Sequence, residues 1–351
     1  MTNAVPVAQR WTERLQIRGE TLALRAAMGL PERLQRLLGG RAVVRDGQTL
    51  AADTQLMLRM QRLVREPGAE TLPIPDGRAA ILRHAGMTGG RQRVGSVRDL
   101  TVADRPARLY TPTGAAPPGP LLLFFHGGGF MYGDLASHDA SCRFLAERSG
   151  VPVLAVDYRL GPERPFPAAY DDALTAHRWL VEHAAEVGAD PARLAVGGDS
   201  AGGNLAAVVA IEAARAGLPL AFQLLVYPAT DAVRETVSAD LFADGFYLTK
   251  AFMDLANACY IVRTDPRDPR VSPLYAELPA GLAPAYVATA GFDPLRDEGE
   301  AYARRLADAG APVELRRFTD QIHGFFNIVG AGRTSRAANA EIAAKLKAAL
   351  R

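Results

Sequence analysis

Gly198-Asp199-Ser200-Ala201-Gly202 sets one serine among small residues, between an apolar run at 194–197 and an alanine- and valine-rich stretch from 201. A G-x-S-x-G that closes a strand and opens a helix is the pattern of a nucleophile held on a sharp turn. The small neighbours have a steric reason, because a serine in strained backbone leaves no room for flanking side chains. The helix that follows sets partial positive charge behind the hydroxyl, where it favours a developing anion. Acyl transfer through Ser200 is the chemistry this arrangement suits. Locally, a glycine-rich helix start with Ser200 as a plain N-cap fits the same letters.

Acyl transfer creates an oxyanion that needs preorganised donors, each worth about 10²–10³ in rate. A second glycine-rich segment supplies candidates: the apolar run 121–125 is followed by His126-Gly127-Gly128-Gly129-Phe130. Three glycines at a strand end cost entropy, and close approach of bare N–H groups to a ligand explains them. The expected donors are the N–H groups of Gly127, Gly128 and Ala201. His126 is expected to pin that loop and take no part in proton transfer.

A serine nucleophile needs a base and a group that orients the base. The histidines stand at 84, 126, 138, 177, 183 and 323. His177 and His183 fall in a helical stretch, His84 precedes the strand–helix region, and His138 begins a helix. His323 lies in TDQIHGFFN, just after the last expected strand, and is the expected base. For the acid, ATAGFDPLRDEGE offers Asp293, Asp297 and Glu298. Asp293 follows a strand end, and Pro294 suits the first turn of a helix that then contains the other two. A plain N-cap role fits Asp293 equally well locally; the chain order Ser, Asp, His favours it as the acid. Asp297 and Glu298 are expected to matter for folding.

Positioning these residues requires strand ends. Candidate strands are 121–125, 151–156, 193–197, 222–227, 285–290 and 313–318, separated by helical stretches at 137–149, 168–187, 201–216 and 296–309. Their alternation predicts an α/β fold with a mostly parallel sheet covered on both faces. Two further strands are expected within 92–111, around Ala103-Asp104-Arg105-Pro106. Residues 1–70 read as mostly helical, with Leu15, Leu22, Leu34, Leu38, Leu56, Met60 and Leu63 among charged neighbours. Gly39-Gly40 and Pro67-Gly68 break that region. The interval 230–272 interrupts the rhythm with a helical run near 250–262. The core is therefore expected in two parts, 71–229 and 273–351.

The chain has 351 residues, with 48% hydrophobic and 22% charged, and a net charge of +2. That balance argues for no nucleic-acid or anionic-membrane partner. Cys142 and Cys259 have no metal-ligand spacing and form no disulfide framework. No apolar run approaches the ~18 residues of a membrane span, and the N-terminus has no apolar core of a signal peptide. A soluble, cytoplasmic protein is expected.

Taken together, the motifs resemble the hormone-sensitive lipase family, the bacterial esterase branch of the α/β-hydrolases. The likeness rests on His126-Gly127-Gly128-Gly129-Phe130, on Gly198-Asp199-Ser200-Ala201-Gly202-Gly203, on 293–299 and on His323-Gly324-Phe325. It extends to Asp157-Tyr158-Arg159-Leu160-Gly161-Pro162-Glu163, where the family usually has alanine in place of Gly161. The resemblance implies an eight-stranded sheet, a Ser–His–Asp triad, no cofactor or metal, and small-molecule esters with short to medium acyl chains as substrates. It also implies a cap built from 1–70 and 230–272. The N-terminal segment, amphipathic and without a strand or a triad member, is expected to act as a lid. A homodimer is compatible with the resemblance. Phe318 and Asp320 stand where many members have tyrosine and glycine. Asp320 could hydrogen-bond His323 but is expected to face solvent. A non-catalytic small-molecule binder and an amidase remain the alternative readings of the same constellation.

Overall fold

The computed structural model describes residues 7–351, with side chains from Ile17 onward. The first six residues of the expected cap and the side chain of Leu15 lie outside the described residues. Eight strands form one sheet: β1 (Ser96–Val102), β2 (Arg105–Thr111), β3 (Gly119–Phe125), β4 (Val153–Val156), β5 (Ala189–Asp199), β6 (Phe222–Val226), β7 (Ala285–Phe292) and β8 (Val313–Ile322). Their order is β8-β7-β6-β5-β3-β4-β2-β1, and β2 alone runs opposite to the other seven. The β1–β2 turn is tight, with Ala103 and Asp104 both at positive φ (47° and 64°). That is the twist-matched geometry of a two-residue hairpin.

Side chains alternate between two apolar layers, as strand geometry requires. Leu123, Val196, Leu225 and Val287 pack against α6 (Ala168–Glu182), α7 (Ala201–Ala216) and α10 (Arg296–Asp308) through Leu180, Leu205 and Tyr302. Leu122, Phe124, Leu224 and Val226 face α5 (Asp139–Ser149) and α11 (Thr334–Ala349) through Leu145, Ile342 and Leu346. With both faces covered, the central strands are continuous apolar runs.

A helical layer covers the carboxyl ends of the strands. It comprises α1 (Val7–Gly29), α2 (Glu32–Gly39), α3 (Ala52–Val64), α4 (Ile74–Gly89), α8 (Val237–Leu241) and α9 (Lys250–Tyr260), with a hairpin of Val44–Arg45 and Gln48–Thr49. Its attachments fall at strand ends. Gln48 Nε2 donates to Gly291 O at 3.3 Å, Ala51 N to Asp320 O at 3.0 Å, and Arg296 pairs with Asp46 at 2.8 Å. Leu50, Leu58, Phe242 and Phe246 close over Phe292 and Ile322, the last residues of β7 and β8.

The leucine pattern of the N-terminal segment faces inward less than expected. Leu56 is buried, but Leu22, Leu34, Leu38 and Leu63 are exposed; Leu24, Met28 and Leu58 are the buried apolar anchors. Helix α4 extends the layer past residue 70. Pro75 in its first turn and Gly77 within it disguise it in sequence. Gly77 is needed because a Cβ there would lie 2.8 Å from Ala69 O. Asp53, buried in α3, caps a helix from far along the chain. Its Oδ2 accepts from Arg333 N at 2.8 Å and Thr334 N at 3.1 Å, and its Oδ1 from Thr334 Oγ1 at 2.6 Å. The first turn of α11, whose own N-cap residue Arg333 makes no side-chain cap, is thus satisfied by the N-terminal layer.

Candidate active site

β5 ends at Asp199, and the chain turns at Ser200 with φ 57° and ψ −118°. A non-glycine residue in that region carries strain on the order of 1–3 kcal/mol. Three hydrogen bonds hold it: Ser200 N to Val226 O (2.9 Å), and Ala229 N and Asn204 N to Ser200 O (3.1 and 3.0 Å). Gly198 and Gly202 face each other and the backbone of Phe125, with no space for a Cβ at either position. Ser200 Oγ makes no cap bond to α7, so the plain N-cap reading fails. The hydroxyl instead lies 3.0 Å from His323 Nε2.

His323 follows β8, and Gly324 at φ 82° turns the chain away behind it. Its Nδ1 donates to Asp293 Oδ2 at 2.8 Å, because a carboxylate can only accept. This tautomer leaves the Nε2 lone pair facing Ser200. Asp293, fully buried after β7, divides its oxygens: Oδ1 accepts from Leu295 N at 2.8 Å while Oδ2 takes the histidine. The N-cap of α10 is Leu295 and no side chain caps it, so the plain N-cap reading of Asp293 fails; its Oδ1 closes a local turn ahead of the helix. Asp320 is only partly buried, and its side chain accepts from Gln321 Nε2 at 3.1 Å; it makes no bond to His323.

Asp297 and Glu298 serve the surroundings. Asp297 accepts from Ser238 N at 2.8 Å, tying down α8. Glu298 Oε1 accepts from Thr230 N and Asp231 N at 2.8 and 3.1 Å, which fixes the loop after β6 beside the serine turn. Burial pushes the Glu298 carboxyl up to about 8.

The glycine loop after β3 differs from expectation at one position. Gly127 N donates to Asp199 Oδ1 at 2.9 Å, so it is already committed and does not serve as an oxyanion donor. Among the described residues, the N–H groups of Gly128, Gly129 and Ala201 donate to no protein acceptor. Gly128 and Gly129 both have positive φ (124° and 62°). His126 holds the loop from behind, as expected. Its Nδ1 donates to Gly127 O at 2.9 Å, its ring stacks on Tyr158 at 4.3 Å, and Tyr158 Oη donates to His126 O at 2.6 Å. Burial lowers its pKa to about 4, which keeps the ring neutral.

The arrangement is a polarised serine, a base held in one tautomer, and free N–H groups beside them. A model of the alpha/beta hydrolase fold family matches residues 122–327. The carboxylic ester hydrolase LipN of Mycobacterium tuberculosis is 44% identical, the match covering 97% of this chain and 94% of that protein. This chain belongs to the α/β-hydrolases, in the hormone-sensitive-lipase-like branch of bacterial esterases. An ethyl acetate hydrolase of Pseudomonas putida is 42% identical over 66% of this chain and 76% of its own. An ester hydrolase from the Lake Arreo metagenome, solved with a bipyridine phosphonate derivative, superposes with a TM-score of 0.82. It is 43% identical and covers 85% of this chain and 98% of its own.

In this esterase the helical layer reaches the glycine loop. α9 presses Ala256 and Phe252 onto Gly129, leaving a Cβ there only 2.9 and 3.0 Å from them. The ring of Tyr247 lies against Gly324, next to the histidine, and the residue sits at positive φ (81°) with 41% of its surface open. Burial of the hydroxyl pushes its phenol up to about 12. A separate recess of about 680 Å³ lies behind the glycine loop, lined by Arg78, Asp134, Asp157, Arg159, Glu163 and Arg164. It is charged and holds none of Ser200, Asp293 and His323, so it is not an acyl pocket. Among the described residues, no cluster of His, Cys, Asp and Glu could hold a metal ion. No described helix is long and apolar enough to cross a membrane.

Proposed function

We propose that Ser200, His323 and Asp293 hydrolyse carboxylic esters through an acyl-serine intermediate. His323 Nε2 takes the proton as Ser200 Oγ bonds to the carbonyl carbon. The oxyanion so formed is received by the N–H groups of Gly128, Gly129 and Ala201. Collapse breaks the bond to the alcohol oxygen, which takes the proton from His323 and leaves. Water then repeats the sequence on the acyl-serine, releasing the acid and restoring the hydroxyl. Asp293 keeps Nε2 free to accept and stabilises the imidazolium that forms.

The observation that carries this reading is the continuous chain from Asp293 through His323 to Ser200, at 2.8 and 3.0 Å. The activity is that named for LipN and the ethyl acetate hydrolase. Residues 1–70 and 230–272 act as a cap whose N-terminal part is a lid, and the Phe252 and Tyr247 roof limits substrates to short and medium acyl chains. Placement in the cytoplasm belongs to the same reading.

Ser200→Ala tests it with p-nitrophenyl butyrate and an organophosphate. kcat is expected to fall by roughly 10⁶, and wild type, but not the variant, should gain the mass of the phosphoryl group at residue 200. Equal turnover by the two proteins would take Ser200 out of the reaction, and turnover by neither would favour a binding protein.

A further inference from the structure

We propose that Asp199, paired with His138, is a positioning residue that sets the glycine loop and the serine turn in the relative placement an oxyanion hole requires. The inference rests on the serine-esterase reading above and adds two residues to it. Asp199 immediately precedes the nucleophile, and its carboxylate is 3% exposed. Donors from four separate segments converge on it. Gly127 N reaches Oδ1 at 2.9 Å from the loop after β3, and His138 Nε2 reaches Oδ1 at 3.2 Å from the start of α5. Tyr227 Oη donates to Oδ2 at 3.3 Å from the end of β6, and Asn327 Nδ2 at 3.5 Å from the segment after His323.

Of these bonds, the one to Gly127 matters most for the chemistry. It turns one N–H of the glycine loop onto the serine turn, so the next two residues cross at a fixed height above Ser200. Gly127 needs to be glycine for this approach, since a Cβ would lie 2.6 Å from Asp199 Oδ2. A neutral residue could not hold the junction equally well. An amide presents one acceptor oxygen, whereas the carboxylate receives donors on both.

Charge makes the pairing with His138 necessary. A carboxylate beside a serine that acquires a neighbouring oxyanion opposes that charge unless it is compensated. His138 Nε2 lies 3.2 Å from Asp199 Oδ1 and 3.2 Å from Asn327 Nδ2, and its Nδ1 is held by Ser137 Oγ at 3.0 Å. Burial alone would raise the Asp199 pKa, but the charge and hydrogen bond of His138, with the Gly127 N–H, hold it below the usual carboxylate range. The side chain therefore stays anionic, and its negative charge is answered locally.

Asp199→Asn, His138→Gln and the double variant test this with two readouts: kcat and KM on p-nitrophenyl butyrate, and inhibition by an arylboronic acid that becomes tetrahedral on Ser200. Asp199→Asn is expected to lower kcat by about 10²–10³, to leave KM within about threefold, and to raise the boronate Ki by the same factor as kcat falls. Losing His138 alone leaves the buried carboxylate its neutral donors but removes its charged partner, so the double variant should be about tenfold more active than His138→Gln. A folded Asp199→Asn with wild-type boronate affinity overturns the proposal, as does a loss confined to KM or to melting temperature. If Asp199→Asn does not fold, Tyr227→Phe removes one donor with the carboxylate in place. It should raise the boronate Ki severalfold, and no change would overturn the proposal. A wild-type protein that neither turns over the ester nor binds the boronate refutes the esterase reading instead.

Discussion

Around Ser200 the protein holds its geometry with backbone bonds and one buried carboxylate, Asp199; the helical layer above is attached mostly through side chains. The serine turn is clamped by Val226 O, Ala229 N and Asn204 N, and its glycines sit against the carbonyl end of β3. Each of Ser200, Asp293 and His323 leaves the sheet within one residue of a strand end. The N-terminal layer is attached by the Asp46–Arg296 pair, by Gln48 and by Asp53, while Leu22, Leu34, Leu38 and Leu63 stay exposed on its outside. The chemistry thus inherits the rigidity of the sheet, and the cover can vary without moving the reacting groups.

The sharpest test of the rigid half is Asp293. Asp293→Asn should cost on the order of 10⁴ in kcat by permitting the wrong imidazole tautomer, while Asp297→Asn should act mainly on melting temperature. An inactive but folded Asp297→Asn beside a near-wild-type Asp293→Asn would reverse the assignment.

A smaller effect is expected from the cover. Deleting residues 1–40 removes α1 and α2, and with them the packing of Leu24 and Met28 on Ile328 and Ala331. The ratio of kcat/KM for medium over short acyl chains should then shift by roughly an order of magnitude, since each buried methylene is worth about 0.8 kcal/mol. Unchanged values at every chain length in a folded truncant would make the segment purely structural.

The smallest effect concerns the seam between the halves, where Glu298 fixes the loop after β6. Its folded pKa stands at about 8 against an ordinary 4.5. Between those values the folded protein keeps a proton that the unfolded chain has released, so stability falls as pH rises across that window. Glu298→Gln should flatten the dependence, as read by urea unfolding at about pH 5 and about pH 8. An identical slope in both proteins would show that Glu298 does not titrate there.

Ser200, Asp293 and His323 were legible because each follows an apolar strand and has a residue type that suits one role. Which glycine of Gly127-Gly128-Gly129 is turned inward was not legible, because three identical residues differ only in the partner waiting for them. That partner, Asp199, was in plain view within the motif. A carboxylate ending an apolar strand must find donors, but they come from residues 127, 138, 227 and 327, which no local pattern connects. The strands and sheet-flanking helices followed from apolar runs. Helix α4 did not, since Pro75 and Gly77 look like breaks until Tyr132 and Ala69 are seen to occupy the space a side chain would need. α11 carries few large apolar residues and was equally silent.

The cap that Asp53 places on α11 has a consequence for how the chain comes together during synthesis. Its partners lie 280 and 281 residues downstream, so a ribosome must pass residue 334 before this carboxylate receives them. Until then the Asp53 carboxyl has the N–H of Thr54 but none of its donors from α11, and the apolar face that will seat Ile328 and Ala331 stays open. Contacts of such separation form late, because the loop they close must be ordered first. A chain released short of residue 334 could therefore form most of its sheet and still lack the closure that joins its two ends. Such a fragment would expose apolar surface, which makes it a substrate for aggregation or proteolysis.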